Sequence, residues 1–216
     1  MSSSNKAERH SWTQNPEGVK SEIVEVAISE FANRGLAGAR IDEIAARTTT
    51  SKRMIYYYFG DKEGLYEAAL RGAYARLGVS AIGPELDSLS PVEALSRLIS
   101  FSFERARANP RFVKLLMHEN VTGAKHLSRI AGISTDHRLT IDQITQIIER
   151  GIAEGVFRPG IDPLLVHWMI GGLTYYNISN RVSFSIVYGD ELFSDEGQER
   201  VVNAIKQMVF DHVRAV

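Results

Sequence analysis

The chain has 216 residues, 44% of them hydrophobic, so it is long enough for a small domain and a second domain with its own core. It contains no cysteine, which excludes disulfide bonds, thiol redox chemistry and cysteine metal sites. No segment approaches the roughly 18 apolar residues of a membrane span, and the N-terminus lacks the apolar run of a secretory signal. We therefore expect a cytoplasmic protein that begins with a disordered arm over residues 1–15.

Residues 16–34 have the spacing of an amphipathic helix. The apolar residues that share its buried face are Val19, Ile23, Val26, Ala27 and Phe31. Gly35 follows this segment and suits the left-handed conformation that often ends a helix. A loop then leads to Arg40, where a second helix is predicted to begin.

The segment 41–65 has the pattern of two short helices separated by a turn, followed by the start of another helix. The first short helix is amphipathic, with an apolar face formed by Ile41, Ile44 and Ala45. The threonines at 48–50 interrupt it because β-branched residues are poor helix formers, and Ser51 can cap the next helix. Together with the preceding helix, this pattern predicts a DNA-reading helix-turn-helix domain over residues 16–62.

The exposed side of the helix after Ser51 would carry Lys52, Arg53 and Tyr57. Arginine and lysine can pair bidentately with guanine, which is worth about 1–3 kcal/mol of discrimination, so we predict base readout by Arg53 or Lys52. The alternative is that these cations only solvate a helix face. The net charge of -1 does not exclude DNA binding, because a local basic surface suffices. The basic residues of the arm could add contacts, or the arm could be only a flexible tail.

Residues 63–216 are predicted to be helical, since no alternating strand pattern runs for more than a few residues. Proline and glycine divide this part into helices predicted at 62–79, 91–109, 111–121, 136–154, 162–178 and 195–216. A loop containing Tyr188 and Asp190 is predicted between the last two. The helix at 162–178 is apolar on nearly every side, so several neighbours must cover it. The fold class is therefore all-α.

Aromatic and polar residues of the middle helices are candidates for a small-molecule pocket, because such sites combine apolar walls with a few polar groups. The sequence Met-His-Glu-Asn at 117–120 is the strongest candidate, since three adjacent polar side chains in an apolar helix need partners or a ligand. Ordinary core packing of the aromatic residues and salt bridges of the polar ones are the alternatives. The predicted effector-binding residues are Phe101, Arg105, Met117, His118, Asn120, Trp168, Tyr175 and Tyr176.

The motifs of common enzyme classes are missing from the sequence. There is no GxSxG motif, no glycine loop that would hold phosphate and no HExxH motif. His118 and His167 lack a second metal ligand three or four residues away on the same helix face. We therefore predict no enzymatic activity, no metal site and no cofactor.

The stretch from Ile23 to Leu70 resembles the DNA-binding domain of the TetR family of transcriptional regulators. The residues that carry this resemblance are Phe31, Gly35, Ile44, Ala45, Ser51, Ile55, Tyr56, Tyr58, Phe59, Lys62, Glu63 and Leu65. The chain departs from the family pattern at the threonines 48–50, where Ala-Gly-Val is common, and at Ala39, where a threonine is common. The second departure removes one expected phosphate contact.

The resemblance implies a three-helix DNA-binding domain followed by a helical ligand-binding and dimerisation domain over residues 63–216. In such a protein the last two helices, 162–178 and 195–216, would form a homodimer that reads a palindromic operator. The residues expected to contact double-stranded DNA are Arg40, Ser51, Lys52, Arg53, Tyr56, Tyr57 and Lys62.

Segments 109–127 and 174–190 loosely resemble the pyrimidine-utilisation branch of the same family, which implies a small planar aromatic or nitrogenous effector. The expected function is that of a homodimeric repressor released from its operator by this effector. The alternatives are a ligand-independent DNA-binding protein and an all-α enzyme.

Overall fold

The computed structural model describes residues 15–77 and 84–215, and within them the chain is helical apart from short connections. Asn15 is the one residue of the predicted arm that is described, and the end of the helix predicted at 62–79, residues 78 and 79, lies outside the described residues. The helices are α1 (Pro16–Gly38), α2 (Ile41–Ala46), α3 (Lys52–Phe59), α4 (Lys62–Leu77), α5 (Pro91–Ala108), α6 (Pro110–Val121), α7 (Ile133–Ala153), α8 (Pro163–Ser179), α9 (Arg181–Tyr188) and α10 (Asp195–Val213). None of the described helices is both long and apolar enough to cross a membrane.

Helices α1 to α4 pack around one core. Its fully buried side chains include Phe31 from α1, Ile44 from α2 and Ile55 from α3. The Phe31 ring meets the edge of the buried Tyr66 ring of α4, with centroids 5.0 Å apart. These contacts hold the short helices α2 and α3, which could not form alone in water.

Helix α1 extends four residues beyond its predicted end. Gly35 has φ 64 and ψ 176, which kinks the chain before one more turn that ends at Gly38. The positive φ at Gly35 agrees with the sequence prediction, because glycine tolerates this conformation. The backbone NH of Ala39 donates to the Gly35 carbonyl and closes the turn before α2.

Helices α5, α7, α8 and α10 surround a second core. Leu95 and Ile99 of α5, Ile148 of α7 and Val209 of α10 are almost fully buried in it. Helix α5 begins with a capping box in which Ser90 and Glu93 satisfy each other's backbone NH groups. Proline occupies the first turn of α5, α6 and α8, as the fixed φ of proline favours.

Helix α6 joins the two cores. Its side chains Phe112, Leu115 and Leu116 are buried in the cluster formed by α1 and α4. Phe103 and Ala106 of α5 are also buried, and α6 follows α5 directly at Pro110. A displacement of α6 would therefore be transmitted to α1, the helix on which the helix-turn-helix is built.

The prediction of a loop between the last two long helices is wrong in one respect. Residues 181–188 form α9, and only Gly189 and Asp190 of the expected turn lie outside helix before a short 3-10 segment, Glu191–Phe193. Val182 and Ile186 have the four-residue spacing of a helix, but both side chains are exposed, by 68% and 80%. No residue in the described part of the chain buries this face, so packing within the chain gave no reason to expect a helix.

Candidate DNA-reading surface and effector region

The N-terminal end of α3 presents a polar, basic surface. Ser51 caps the helix, and its hydroxyl accepts a hydrogen bond from the backbone NH of Met54 at 3.3 Å. Lys52 and Arg53 follow in the first turn and are exposed, while Ile55 points into the core. Both the cap and the division into exposed and buried faces confirm the sequence interpretation of this helix.

Lys52 is held by a carboxylate of the preceding helix. Its Nζ lies 2.9 Å from Oδ1 of Asp42 on α2, and both side chains are about half exposed. The hydrogen bond raises the pKa of Lys52 and lowers the pKa of Asp42. Lys52 is therefore charged but already partnered, so binding a phosphate would require it to share or leave Asp42.

Arg53 is different, because its guanidinium has no hydrogen bond or ion pair with any residue in the described part of the chain. Next to it, Tyr57 is 76% exposed and Tyr56 is 40% exposed. A free guanidinium beside two exposed phenols combines the groups that proteins use to contact guanine edges and phosphates.

The remaining predicted DNA contacts lie at the edges of this surface. Arg40 is exposed at the residue before α2, and its backbone NH donates to Oε1 of Glu30 at 3.4 Å. Lys62 is half-buried at the start of α4, and its Nζ donates to the Ala37 carbonyl at 3.3 Å. Lys62 therefore ties α4 to the last turn of α1, whether or not it also meets a phosphate.

Two glutamates of α1 help to position α2 and α3, and neither was assigned a role from the sequence. Glu22 accepts both the backbone NH and the hydroxyl of Thr49, at 2.9 and 2.7 Å, which fixes the turn before α3. Glu30 is buried and pairs with Arg34 at 3.2 Å and with Arg47 at 3.7 Å. Glu30 could have been recognised from the sequence, because it falls on the apolar face of a helix, where an unpaired charge would be costly.

The predicted effector residues are distributed over several places and do not line one common cavity in the described residues. Tyr175 lines a small cavity of ≈ 30 Å³ between α5 and α8. Tyr176 lines an apolar cavity of ≈ 300 Å³ formed by α8, α9 and α10. His118 lines a cavity of ≈ 450 Å³ between α1, α4 and α6. Of the others, Met117 is half-buried, while Asn120 and Trp168 are exposed.

Arg105 links α5 to α4. Its Nε donates to the carbonyl of Arg76 near the end of α4, and its guanidinium lies 5.5 Å from the centroid of the Phe101 ring. Burial and the nearby charge of Arg76 lower the pKa of Arg105. This places two predicted effector residues, Phe101 and Arg105, directly beside the helix that leads to the DNA-reading domain.

Within the Met-His-Glu-Asn sequence, Glu119 is the buried member, and other residues of the chain satisfy it. Its Oε1 accepts the backbone NH groups of His126 and Leu127 at 2.6 and 2.9 Å, and its Oε2 lies 3.3 Å from Nδ1 of His126. Tyr66 also donates its hydroxyl to this carboxylate, and burial together with the Glu119 charge raises the pKa of that hydroxyl. Partners within the chain therefore satisfy Glu119, which was the alternative to ligand binding at this residue.

We expect Glu119→Gln to lower the free energy of unfolding by about 1–3 kcal/mol, because an amide cannot accept from all four donors. Burial alone would raise the pKa of Glu119, but the hydrogen bonds from Leu127, His126 and Tyr66 outweigh it and lower that pKa. The stabilisation is therefore fully present above the unfolded-state pKa and is lost as the pH falls through the lower folded-state pKa.

Urea denaturation of the unaltered protein and of Glu119→Gln, at neutral and at acidic pH, measures the difference in their free energy of unfolding. Glu104→Gln is the matched control, because Glu104 is exposed on α5 and has no partner in the described part of the chain. Equal stability of the two variants would contradict a stabilising role for Glu119.

Comparison with known proteins identifies the two halves of the chain. A family model described as "Bacterial regulatory proteins, tetR family" matches residues 23–69. A second, described as "Tetracyclin repressor-like, C-terminal domain", matches residues 91–209. The matches cover both the helix-turn-helix and the helices around the second core.

Relatives that match along most of the chain are also named as transcriptional regulators. The HTH-type transcriptional repressor NicS of Pseudomonas putida is 31% identical over 172 residues, which cover 80% of this chain and 81% of that protein. The HTH-type transcriptional regulator RutR of Escherichia coli is 25% identical over 195 residues, which cover 90% of each chain.

Solved structures show the same fold. The putative transcriptional regulator SCO4942 of Streptomyces coelicolor has a TM-score of 0.63 at 24% identity, over 90% of this chain and 98% of that one. The ketosteroid transcriptional regulator KstR2 of Mycobacterium tuberculosis has a TM-score of 0.63 at 23% identity, over 91% and 95%. These likenesses confirm the all-α prediction. The family models and the similarity to NicS confirm the predicted family: the chain belongs to the TetR family and is a DNA-binding transcriptional regulator.

Proposed function

We propose that this protein is a homodimeric repressor that binds a palindromic operator in the cytoplasm and is released from it by a small-molecule effector. The observation that carries the proposal is the exposed basic end of α3, where Arg53 has no partner in the described part of the chain. We retain residues 16–62 as the DNA-binding domain and residues 63–216 as the effector-binding and dimerisation domain. Helix α4 connects the two.

At the operator, Arg53 is the residue that we assign to base readout in the major groove. Lys52, Ser51, Tyr56 and Tyr57 contact the flanking phosphates or base edges, since they lie on the same short helix or at its cap. Arg40 and Lys62 lie further out and meet the DNA backbone. Phosphate contacts of this kind fix the orientation of the helix, whereas base contacts supply specificity.

Footprinting on the DNA upstream of the protein's own gene tests this arrangement. We expect two protected half-sites related by two-fold symmetry, with centres about one helical turn or a multiple of it apart. Protection of a single asymmetric site would contradict a symmetric dimer of reading helices.

We place the dimer interface on the exposed apolar side chains of α8 and α9. The exposed apolar side chains of these two helices are Leu164, Leu165, Trp168, Leu173, Tyr176, Val182, Ile186, Val187 and Tyr188. Helix α10, predicted to form the interface together with α8, has Ile205, Val209 and Phe210 buried in the second core. Its Ala204 and Met208 still line the apolar cavity between α8, α9 and α10. A large exposed apolar surface of this kind marks an association site, and a second copy offers the matching apolar face.

The effector binds among the middle helices, next to Phe101, Arg105 and Tyr175. Effector binding moves α5, and the hydrogen bond from Arg105 to Arg76 passes that movement to α4. Lys62 at the other end of α4 is bonded to Ala37 beside the helix-turn-helix, so the two reading helices of a dimer change their separation. A coupling of about 1–3 kcal/mol between effector and operator is typical of such regulators. We infer a planar aromatic or nitrogenous effector from the aromatic side chains.

One observation favours a ligand-independent DNA-binding protein as a second candidate. The cavity at Tyr175 measures ≈ 30 Å³, which is room for about one water molecule rather than an effector. An effector could enter only if side chains that line this cavity moved. Operator binding that no small molecule alters would favour this second candidate.

We expect Asp42→Asn to raise operator affinity about threefold at low salt, because it frees Lys52 and removes a negative charge facing the DNA. The control is Glu43→Gln, which removes the same charge from an exposed residue of α2 without a partner in the described residues. Fluorescence anisotropy at fixed salt compares the two. Equal changes in both variants would mean that Lys52 gains nothing from release by Asp42.

A further inference from the structure

The cavity between α1, α4 and α6 lies apart from the proposed effector site. It measures ≈ 450 Å³, within the range of small-molecule sites, and is lined by both domains. Leu36 and Ala37 come from the last turn of α1, Tyr66 from α4, and Thr122 follows α6. The walls are mainly apolar, so the cavity favours a ligand with an apolar body.

The polar groups of this cavity are mostly cationic or neutral. Lys125 and His118 line the cavity and are exposed, and the ammonium group of Lys125 has no partner in the described residues. Arg34 also lines the cavity and keeps one ion pair, with Glu30 at 3.2 Å. An anion entering the cavity would therefore meet a free ammonium group and a guanidinium that is only partly neutralised.

Among the described residues, Glu119 is the one carboxylate that lines the cavity, and internal donors already occupy its oxygens. Glu119 accepts hydrogen bonds from His126, Leu127 and Tyr66, so it has little capacity left to attract a cation. His126 is buried, and its Nε2 has no hydrogen-bond partner in the described residues. A Glu63 carboxylate oxygen lies 3.8 Å from this nitrogen, beyond hydrogen-bond distance. A buried ring nitrogen without a partner is a group that a ligand could satisfy.

We propose that this cavity binds a small organic anion with an apolar body, such as an aromatic carboxylate. Lys125 holds the carboxylate, with Arg34 and His118 as further donors, and the apolar body packs against Leu36 and the Tyr66 ring. Because the cavity is lined by the last turn of α1 and by α6, the bound anion ties the DNA-reading domain to the second domain. The site is additional to the proposed effector site, and its binding test needs no DNA.

Calorimetric titration of the full chain with benzoate tests the proposal, with benzamide as the uncharged probe of the same shape. We expect benzoate to bind with a Kd of about 1–10 mM, as its small size allows, and benzamide to bind at least several times more weakly. Lys125→Glu should weaken benzoate binding about tenfold, because an attraction becomes a repulsion.

Lys114→Glu is the matched control, because it makes the same charge change on an exposed residue of α6 that does not line the cavity. We expect its benzoate affinity to stay within about twofold of the unaltered protein, since the charge lies outside the site. If Lys125→Glu fails to fold, Lys125→Gln replaces it, with an expected weakening of about threefold. No benzoate binding, equal binding of benzamide, or the same affinity in the Lys125 and Lys114 variants would overturn the proposal.

Discussion

Ile186→Asp is expected to convert the dimer into monomers and to abolish operator binding at protein concentrations where the unaltered protein saturates its operator. Ile186 is 80% exposed on α9, within the apolar surface that we assign to the dimer. A carboxylate buried there would be unpaired and would destabilise the interface by several kcal/mol. A monomer reads one half-site, and losing the linkage between two half-sites lowers affinity by about 10²–10⁴-fold.

Sedimentation velocity measures the dimer, and fluorescence anisotropy with operator DNA measures binding. Val121→Asp is the control, because Val121 is 87% exposed at the end of α6, outside α8 and α9. It introduces the same charge in place of an exposed aliphatic side chain. A dimer that survives Ile186→Asp as well as it survives Val121→Asp would show that α9 is not at the interface.

Arg53→Ala is expected to weaken specific operator binding by about 1–3 kcal/mol in each half-site, because a bidentate contact with guanine is lost. Binding to unrelated DNA should fall much less, since it depends on phosphate contacts that other residues share. Dimerisation should be unchanged, because Arg53 lies on α3, away from α8 and α9.

Parallel titrations of operator and scrambled duplexes at one salt concentration separate the specific from the non-specific loss. Arg97→Ala is the matched control, since Arg97 is an exposed arginine of α5 without a partner in the described residues. If Arg53→Ala and Arg97→Ala weaken operator binding equally, Arg53 contributes only general positive charge and does not read bases.

The DNA-reading half was largely predictable because its signals are local. The Ser51 cap, the threonine interruption before it and the glycine at 35 each act within a few residues. In the structure α3 begins after Ser51, α2 ends before the threonines and α1 is kinked at Gly35. The roles of Glu22 and Glu30 could not be predicted in the same way. Their partners, Thr49 and Arg47, lie on other elements, so the contacts exist only after the helices pack.

The second domain was less predictable because tertiary packing decides which apolar residues line a cavity. Tyr175 and Tyr176 are adjacent in sequence, yet they line different cavities on different sides of α8. Trp168 was predicted at the effector site, but its 72% exposure places it on the surface proposed for the dimer. Helix α9 was missed because no other part of the described chain covers its exposed apolar face.

The most direct test of the account is fluorescence anisotropy of the purified protein on its own upstream DNA at fixed salt. The titration is repeated with pyrimidines, aromatic acids and acyl-CoA thioesters. We expect tight, sequence-specific binding with a stoichiometry of two chains per operator, and release by a compound of one of these classes. Affinity for the upstream DNA no higher than for scrambled DNA would contradict it.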